Sequence, residues 1–159
     1  FLSIISNYPD YNFIIAGVNN VHPKLYDLGT HPNLFIVYNK TYDLLTNSFA
    51  AIVTSGTASL ECSLFKIPQL VCYKTSFLSF FIGKLFVKLE HISLVNIILK
   101  KNVIKELIQN DLNEKNLKNE FEKLCNKEIR SGIINEYSKI YDLLSVKDTT
   151  KKIASLIFS

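Results

Sequence analysis

Ala50-Ala51-Ile52-Val53-Thr54-Ser55-Gly56-Thr57-Ala58-Ser59-Leu60-Glu61 reads as a buried strand, a hydroxyl-lined glycine turn and the start of a helix. Ala50 to Val53 form a short apolar run, which suits a parallel strand covered on both faces. Ser55-Gly56-Thr57 then supply the turn and a helix N-cap. On either side the chain keeps alternating. Tyr11 to Ala16 is an aromatic and β-branched strand ending at Gly17, Leu34 to Tyr38 is a second, and each follows a Pro-containing turn signal, Tyr8-Pro9-Asp10 or His31-Pro32-Asn33. Val21 to Leu28 reads as a weak helix and Thr41 to Ser48 as a short helix capped by Thr41. A helix from Thr57 to Phe65 and a strand from Gln69 to Tyr73 complete the pattern. Strand, helix, strand, helix, strand predicts an α/β fold with a mostly parallel sheet and helices on both faces. Ligands of such sheets bind beyond the carboxyl ends of the strands, where Gly17, Ser55 and Lys74 lie.

The glycine turn is therefore the first candidate site. Free backbone N–H groups and the positive end of a helix dipole favour a phosphate or diphosphate there. Glu61 lies four residues after Thr57, on the same side of the helix one turn on, where a carboxylate can accept hydrogen bonds from sugar hydroxyls. It is not a capping-box acid, because the residue three after Ser55 is Ala58. The residues leave a plainer alternative open: serine and threonine are ordinary helix caps, and an exposed glutamate is ordinarily just solvated.

Composition narrows the function classes. At 159 residues and 48% hydrophobic, the chain is long enough for a proper core. Its net charge of +4 is uneven: residues 1–99 hold 6 lysines and 5 acids, whereas residues 100–159 hold 12 lysines and arginines and 9 acids. Basic residues interspersed with acids, with Arg130 as the single arginine, argue against a nucleic-acid stripe. An anionic membrane surface fits at least as well. Cys62, Cys72 and Cys125 stand at wide spacing without a C-x-x-C pair, which implies neither a disulfide framework nor a zinc site; Cys62 and Cys72 read as small buried hydrophobes. His22, His31 and His91 form no metal spacing, and His91 reads as preceding a strand end. The chain lacks methionine, and Phe1 to Ile5 already look like the middle of an apolar helix face, so the sequence is expected to begin partway through a larger protein.

Ser76 to Lys88 is dense in phenylalanine and leucine, too short to span a bilayer, and carries Lys84 and Lys88 one turn apart. It reads either as an interfacial amphipathic helix or as a helix buried against a partner or in the core. From Asn113 the spacing is helical to the end: Leu117, Phe121 and Leu124, then Ile133, Ile134, Tyr137, Ile140, Tyr141 and Leu144, then Ile153, Leu156 and Ile157. The expected organisation is a sheet domain over 1–110 and a C-terminal helical extension over 111–159, packing on the same or a partner subunit.

Three blocks carry a more specific signal. Ala51 to Glu61, Pro68-Gln69-Leu70-Val71-Cys72-Tyr73-Lys74-Thr75 and His91-Ile92-Ser93-Leu94-Val95-Asn96 together resemble lipid-A-disaccharide synthase, most firmly from Asn39 to Leu107. The resemblance implies the Rossmann-like, donor-binding C-terminal half of a GT-B glycosyltransferase, lacking its first strand. It implies inverting transfer of 2,3-diacylglucosamine from its UDP derivative to 2,3-diacylglucosamine 1-phosphate, without metal or other cofactor. By the same likeness Ser55, Gly56 and Thr57 match the diphosphate-holding turn, Glu61 the acid near the ribose and Asn96 the asparagine at the donor cleft, with Ser93 and its backbone near uracil. It places the arginine loop and the general-base aspartate upstream of Phe1, so no catalytic residue is expected in this chain and the fragment alone is expected to be inactive. It further implies a homodimer with exchanged C-terminal helices, and a cytoplasmic enzyme lying peripherally on the inner membrane of a Gram-negative bacterium. The remaining alternatives are another UDP-sugar enzyme, either a different GT-B transferase or an epimerase, and a non-catalytic binding or dimerisation module.

Overall fold

The structure, a computed structural model, describes residues 2–54, 56–75 and 91–145. Ser55, the Ser76–Lys88 segment and the periodic positions Ile153, Leu156 and Ile157 lie outside the described residues. Helix α1 (Leu2–Ile5) leads into strand β1 (Phe13–Gly17); a 3-10 turn over Pro23–Tyr26 follows, then β2 (Leu34–Tyr38), α2 (Thr41–Asn47), β3 (Ala51–Val53), α3 (Thr57–Leu64) and β4 (Gln69–Tyr73). Helix α4 (Leu94–Leu99), β5 (Lys105–Ile108), a 3-10 turn at Gln109–Asp111, α5 (Glu114–Cys125) and α6 (Lys127–Leu144) complete the order.

Every strand pairing among the described residues is parallel, as the alternation predicts. β1 pairs with β2, Phe13 opposite Leu34, while β4 lies between β3 and β5, with Ala51 opposite Gln69 and Leu70 opposite Lys105. The strands form a two-stranded and a three-stranded sheet. The two share a core, since Phe13 of β1 clusters with Leu70 of β4 and Leu107 of β5.

Alternation along β4 sends its side chains to opposite faces. Leu70 joins Ile4, Ile5, Leu117, Phe121 and Leu124, so α1 and α5 cover one face. Val71 joins Val95, Ile104, Tyr137 and Ile140, so α4 and α6 cover the other. Leu45 of α2 and Cys62 of α3 make a smaller cluster with Ile67. The predicted stripe Leu117, Phe121 and Leu124 is buried, which is why α5 sits where it does. Asparagine side chains start both C-terminal helices: Asn113 accepts from the Asn116 amide and Asn126 from the Ile129 amide, each at 3.0 Å. Arg130 ties α6 to the entry of β3, its guanidinium 3.6 Å over the Phe49 ring while donating to the Phe49 carbonyl.

Several local expectations are corrected. Helix α2 is capped by the backbone of Lys40, with Thr41 its first helical residue, and α3 by Gly56; neither cap makes a side-chain hydrogen bond. The Val21–Leu28 helix shrinks to the 3-10 turn, begun by Pro23 and capped by His22, whose Nδ1 accepts from the Lys24 amide at 3.3 Å. His91 precedes the start of α4, where Ser93 is the cap, rather than a strand end. β5 went unread because Lys105 and Glu106 break its apolar pattern, yet Leu107 packs in the core.

Candidate functional site

The turns after β3, β4 and β5 are bound to one another at the carboxyl ends of those strands. Gly56 has φ 103° and ψ −152°, a backbone region that side chains strongly disfavour. This conformation turns the chain from β3 into α3. The buried Ser59 hydroxyl donates to the Gly56 carbonyl at 2.8 Å and accepts from the Leu94 amide at 3.2 Å, joining the glycine turn to the start of α4. Gly56 and Ser93 also form an isolated parallel bridge. Beyond β4, the Gln109 side chain accepts from the Thr75 amide at 2.9 Å and donates to its carbonyl at 3.1 Å, pinning the ends of β4 and β5 together.

Glu106 is the hub of the second turn. Its Oε2 accepts from the Ile92 amide at 2.9 Å, and its Oε1 accepts from the Ser93 amide at 3.0 Å, the Ser93 hydroxyl at 2.6 Å and the Asn96 Nδ2 at 2.9 Å. The same Ser93 hydroxyl accepts from the Asn96 amide at 3.3 Å as the cap of α4. Asn96 is wholly buried and its side chain is fully used: Nδ2 also donates to the Ile104 carbonyl at 2.8 Å, and Oδ1 accepts from the Val103 and Ile104 amides at 2.9 and 3.0 Å. That amide closes the loop between α4 and β5.

The residues singled out from sequence therefore divide. Gly56 and Thr57 stand at the start of α3, Thr57 exposed, with the first-turn N–H groups that any helix leaves without an intrahelical acceptor. Glu61 lies one turn on, half-buried, and no hydrogen bond or ion pair reaches its carboxylate among the described residues. Ser93 and Asn96 are buried with side chains bonded inside the protein, so what they present outward is backbone and position. Ser59, Glu106 and Gln109 went unnoticed in the sequence. The readable trace of Glu106 was a carboxylate inside the apolar run Val103 to Ile108.

Charge chemistry elsewhere is quiet. Burial pushes the Cys62 and Cys72 thiols up to about 11, which keeps both protonated and poor nucleophiles near neutrality. No group of histidine, cysteine or carboxylate side chains among the described residues could hold a metal ion. No helix among them is long and apolar enough to cross a membrane.

These features define a parallel α/β protein whose candidate site is a glycine turn and a helix start at the carboxyl ends of its strands. The family model described as lipid-A-disaccharide synthetase matches residues 2–157, and the chain belongs to that family. It is similar to the lipid-A-disaccharide synthase of Acinetobacter baylyi, 32% identical over 170 aligned positions that cover 97% of this chain and 43% of the relative. It is also 36% identical to that of Syntrophus aciditrophicus, over 77% of this chain and 32% of the relative, and 36% identical to that of Francisella philomiragia, over 78% and 33%. The chain thus spans less than half the length of these curated relatives.

Proposed function

We propose that this chain is the donor-binding part of an inverting hexosyltransferase of lipid A biosynthesis. The whole protein would move 2,3-diacylglucosamine from its UDP derivative to 2,3-diacylglucosamine 1-phosphate and release UDP. The observation that carries the reading is the Gly56 turn, opening α3 directly beside the Ser93 turn in a chain of this family. The diphosphate lies against the amides at Gly56 and Thr57, with Ser55 assigned to the same turn from its sequence, and negative charge growing on the UDP leaving group is stabilised there by N–H donors and the helix dipole. Glu61, one turn along, receives the ribose hydroxyls; its carboxylate is uncommitted to the described protein. The Ser93 turn flanks the base, and Asn96 serves by fixing that turn rather than by touching donor. We place the general base in the part of the relatives' length that this chain does not span.

The lipid substrates favour a site at a membrane surface, and the phenylalanine-rich Ser76–Lys88 sequence is the segment we assign to it, on a protein peripheral to the cytoplasmic face of a Gram-negative inner membrane. We also keep a homodimer with exchanged C-terminal helices.

An NMR titration with UDP, and with ADP as control, tests the donor site. Selective UDP shifts at the amides of residues 55–58 and 92–96 are expected. Equal shifts with both nucleotides would point to a different nucleotide enzyme, and no shifts in the folded chain would mean either that the arginine loop outside this chain is indispensable or that the turn is only a capped helix start, which a longer chain carrying that loop decides.

A further inference from the structure

The Glu106 carboxylate lies in the three-stranded sheet, opposite Val71, yet all its hydrogen bonds run to one short segment outside it. An ionised carboxylate is an acceptor with about four lone-pair positions, and here four donors meet it. Charge-assisted bonds of this kind are roughly twice as strong as neutral ones. No lysine or arginine pairs with it among the described residues, so its charge is met by the amides of Ile92 and Ser93, the Ser93 hydroxyl and the Asn96 amide group. The segment it grips is the one that bridges Gly56 and, through the Leu94 amide, bonds Ser59. Ser59 in turn holds the Gly56 carbonyl. The carboxylate thus bonds the second turn directly and connects to the Gly56 turn through that segment and Ser59.

We propose that Glu106 is a positioning residue of the nucleotide site. It holds the Ile92–Leu94 turn in register with the Gly56 turn, so that a nucleoside diphosphate meets both at once. This inference rests on the donor-site reading above. The charged, acceptor-only form is what the position requires. A glutamine there has one acceptor oxygen and a donor nitrogen, and in either orientation the nitrogen faces N–H or O–H donors that need an acceptor.

The test compares the unmodified chain with Glu106→Gln and Ser93→Ala by amide hydrogen exchange without ligand and by UDP titration. Glu106→Gln is expected to speed exchange at Ile92, Ser93, Gly56 and Thr57 and to weaken UDP binding about tenfold. Ser93→Ala, which keeps the backbone bonds to Glu106, is expected to act in the same direction but less. Faster exchange that stops at Ser93 and leaves Gly56 and Thr57 unchanged overturns the proposal, as does unchanged UDP affinity in a loosened turn. Should Glu106→Gln fail to fold, Ser93→Ala carries the same two readouts. Should the unmodified chain not bind UDP, the donor reading passes to a longer chain carrying the arginine loop, and exchange at Gly56 still decides whether Glu106 controls that turn.

Discussion

The Gln69 amide on β4 donates to the Tyr137 hydroxyl on α6 at 3.1 Å, and its other hydrogen to the Ser59 carbonyl on α3 at 2.8 Å. Both side chains are buried, and burial holds the phenol well above its usual range. The Gln69 Oε1 finds no partner among the described residues, so this polar contact is only partly satisfied. Tyr137→Phe removes one of two acceptors for Gln69 and creates no large cavity. We expect a loss of roughly 1 kcal/mol in chemical denaturation, with UDP binding unchanged.

Asn96 and Glu61 separate structure from binding. Asn96→Ala deprives the Val103 and Ile104 amides of their acceptor and Glu106 of a donor, in a setting that is buried at Ile104 and partly buried at the other two. A destabilisation of about 3 to 4 kcal/mol is expected from the midpoint of urea unfolding. Glu61→Ala should leave that midpoint within about 0.5 kcal/mol and weaken UDP by about 1 to 3 kcal/mol. Equal UDP affinity in calorimetry would return Glu61 to the solvated surface.

Gly56→Ala tests the turn itself. A Cβ at Gly56 meets nothing within 4 Å, so any penalty comes from φ 103° and not from crowding. The expected penalty is about 1 to 3 kcal/mol in thermal unfolding. Gly17 poses the opposite case: a Cβ there would lie 2.8 Å from the Tyr38 ring, which is exposed enough to swing aside.

Alkaline pH should loosen the fold at defined points. Cys62 rises from 9.0 to about 11, and Tyr8, beside Glu122, from 10.0 to about 12, with burial the larger cause in each. A raised pKa means the folded state holds its proton more tightly than the unfolded state. The stabilisation is therefore complete below pH 9 and is lost between about pH 9 and 11 for Cys62. Its share is roughly 2 to 3 kcal/mol, and Cys62→Ala should flatten the decline in a pH series of denaturation midpoints.

The parts of the fold legible in the sequence are those where neighbouring residues carry the information. Gln69 to Tyr73 is a strand with the bounds its apolar run suggests, and the Leu117, Phe121 and Leu124 stripe faces the core, because burial on a regular element imposes its own period. β5 and α4 escaped for the complementary reason. Lys105-Glu106 looks like surface until one knows that the glutamate lies under a turn more than ten residues away, and Leu94 to Leu99 is too short for its periodicity to stand out.

The glycine turn was likewise readable as a sequence of small and hydroxyl residues, since only glycine accepts the backbone that redirects a strand into a helix there. Family membership too was written in residues alone, in three blocks of side chains. Tertiary structure decided what those side chains do. It buried Ser93 and Asn96 and spent their hydrogen bonds inside the protein, left Glu61 uncommitted, and gathered Ile92, Ser93 and Asn96 on the Glu106 carboxylate. Hydrogen bonds between residues distant in sequence depend on which strands lie side by side, and local propensity holds no record of that.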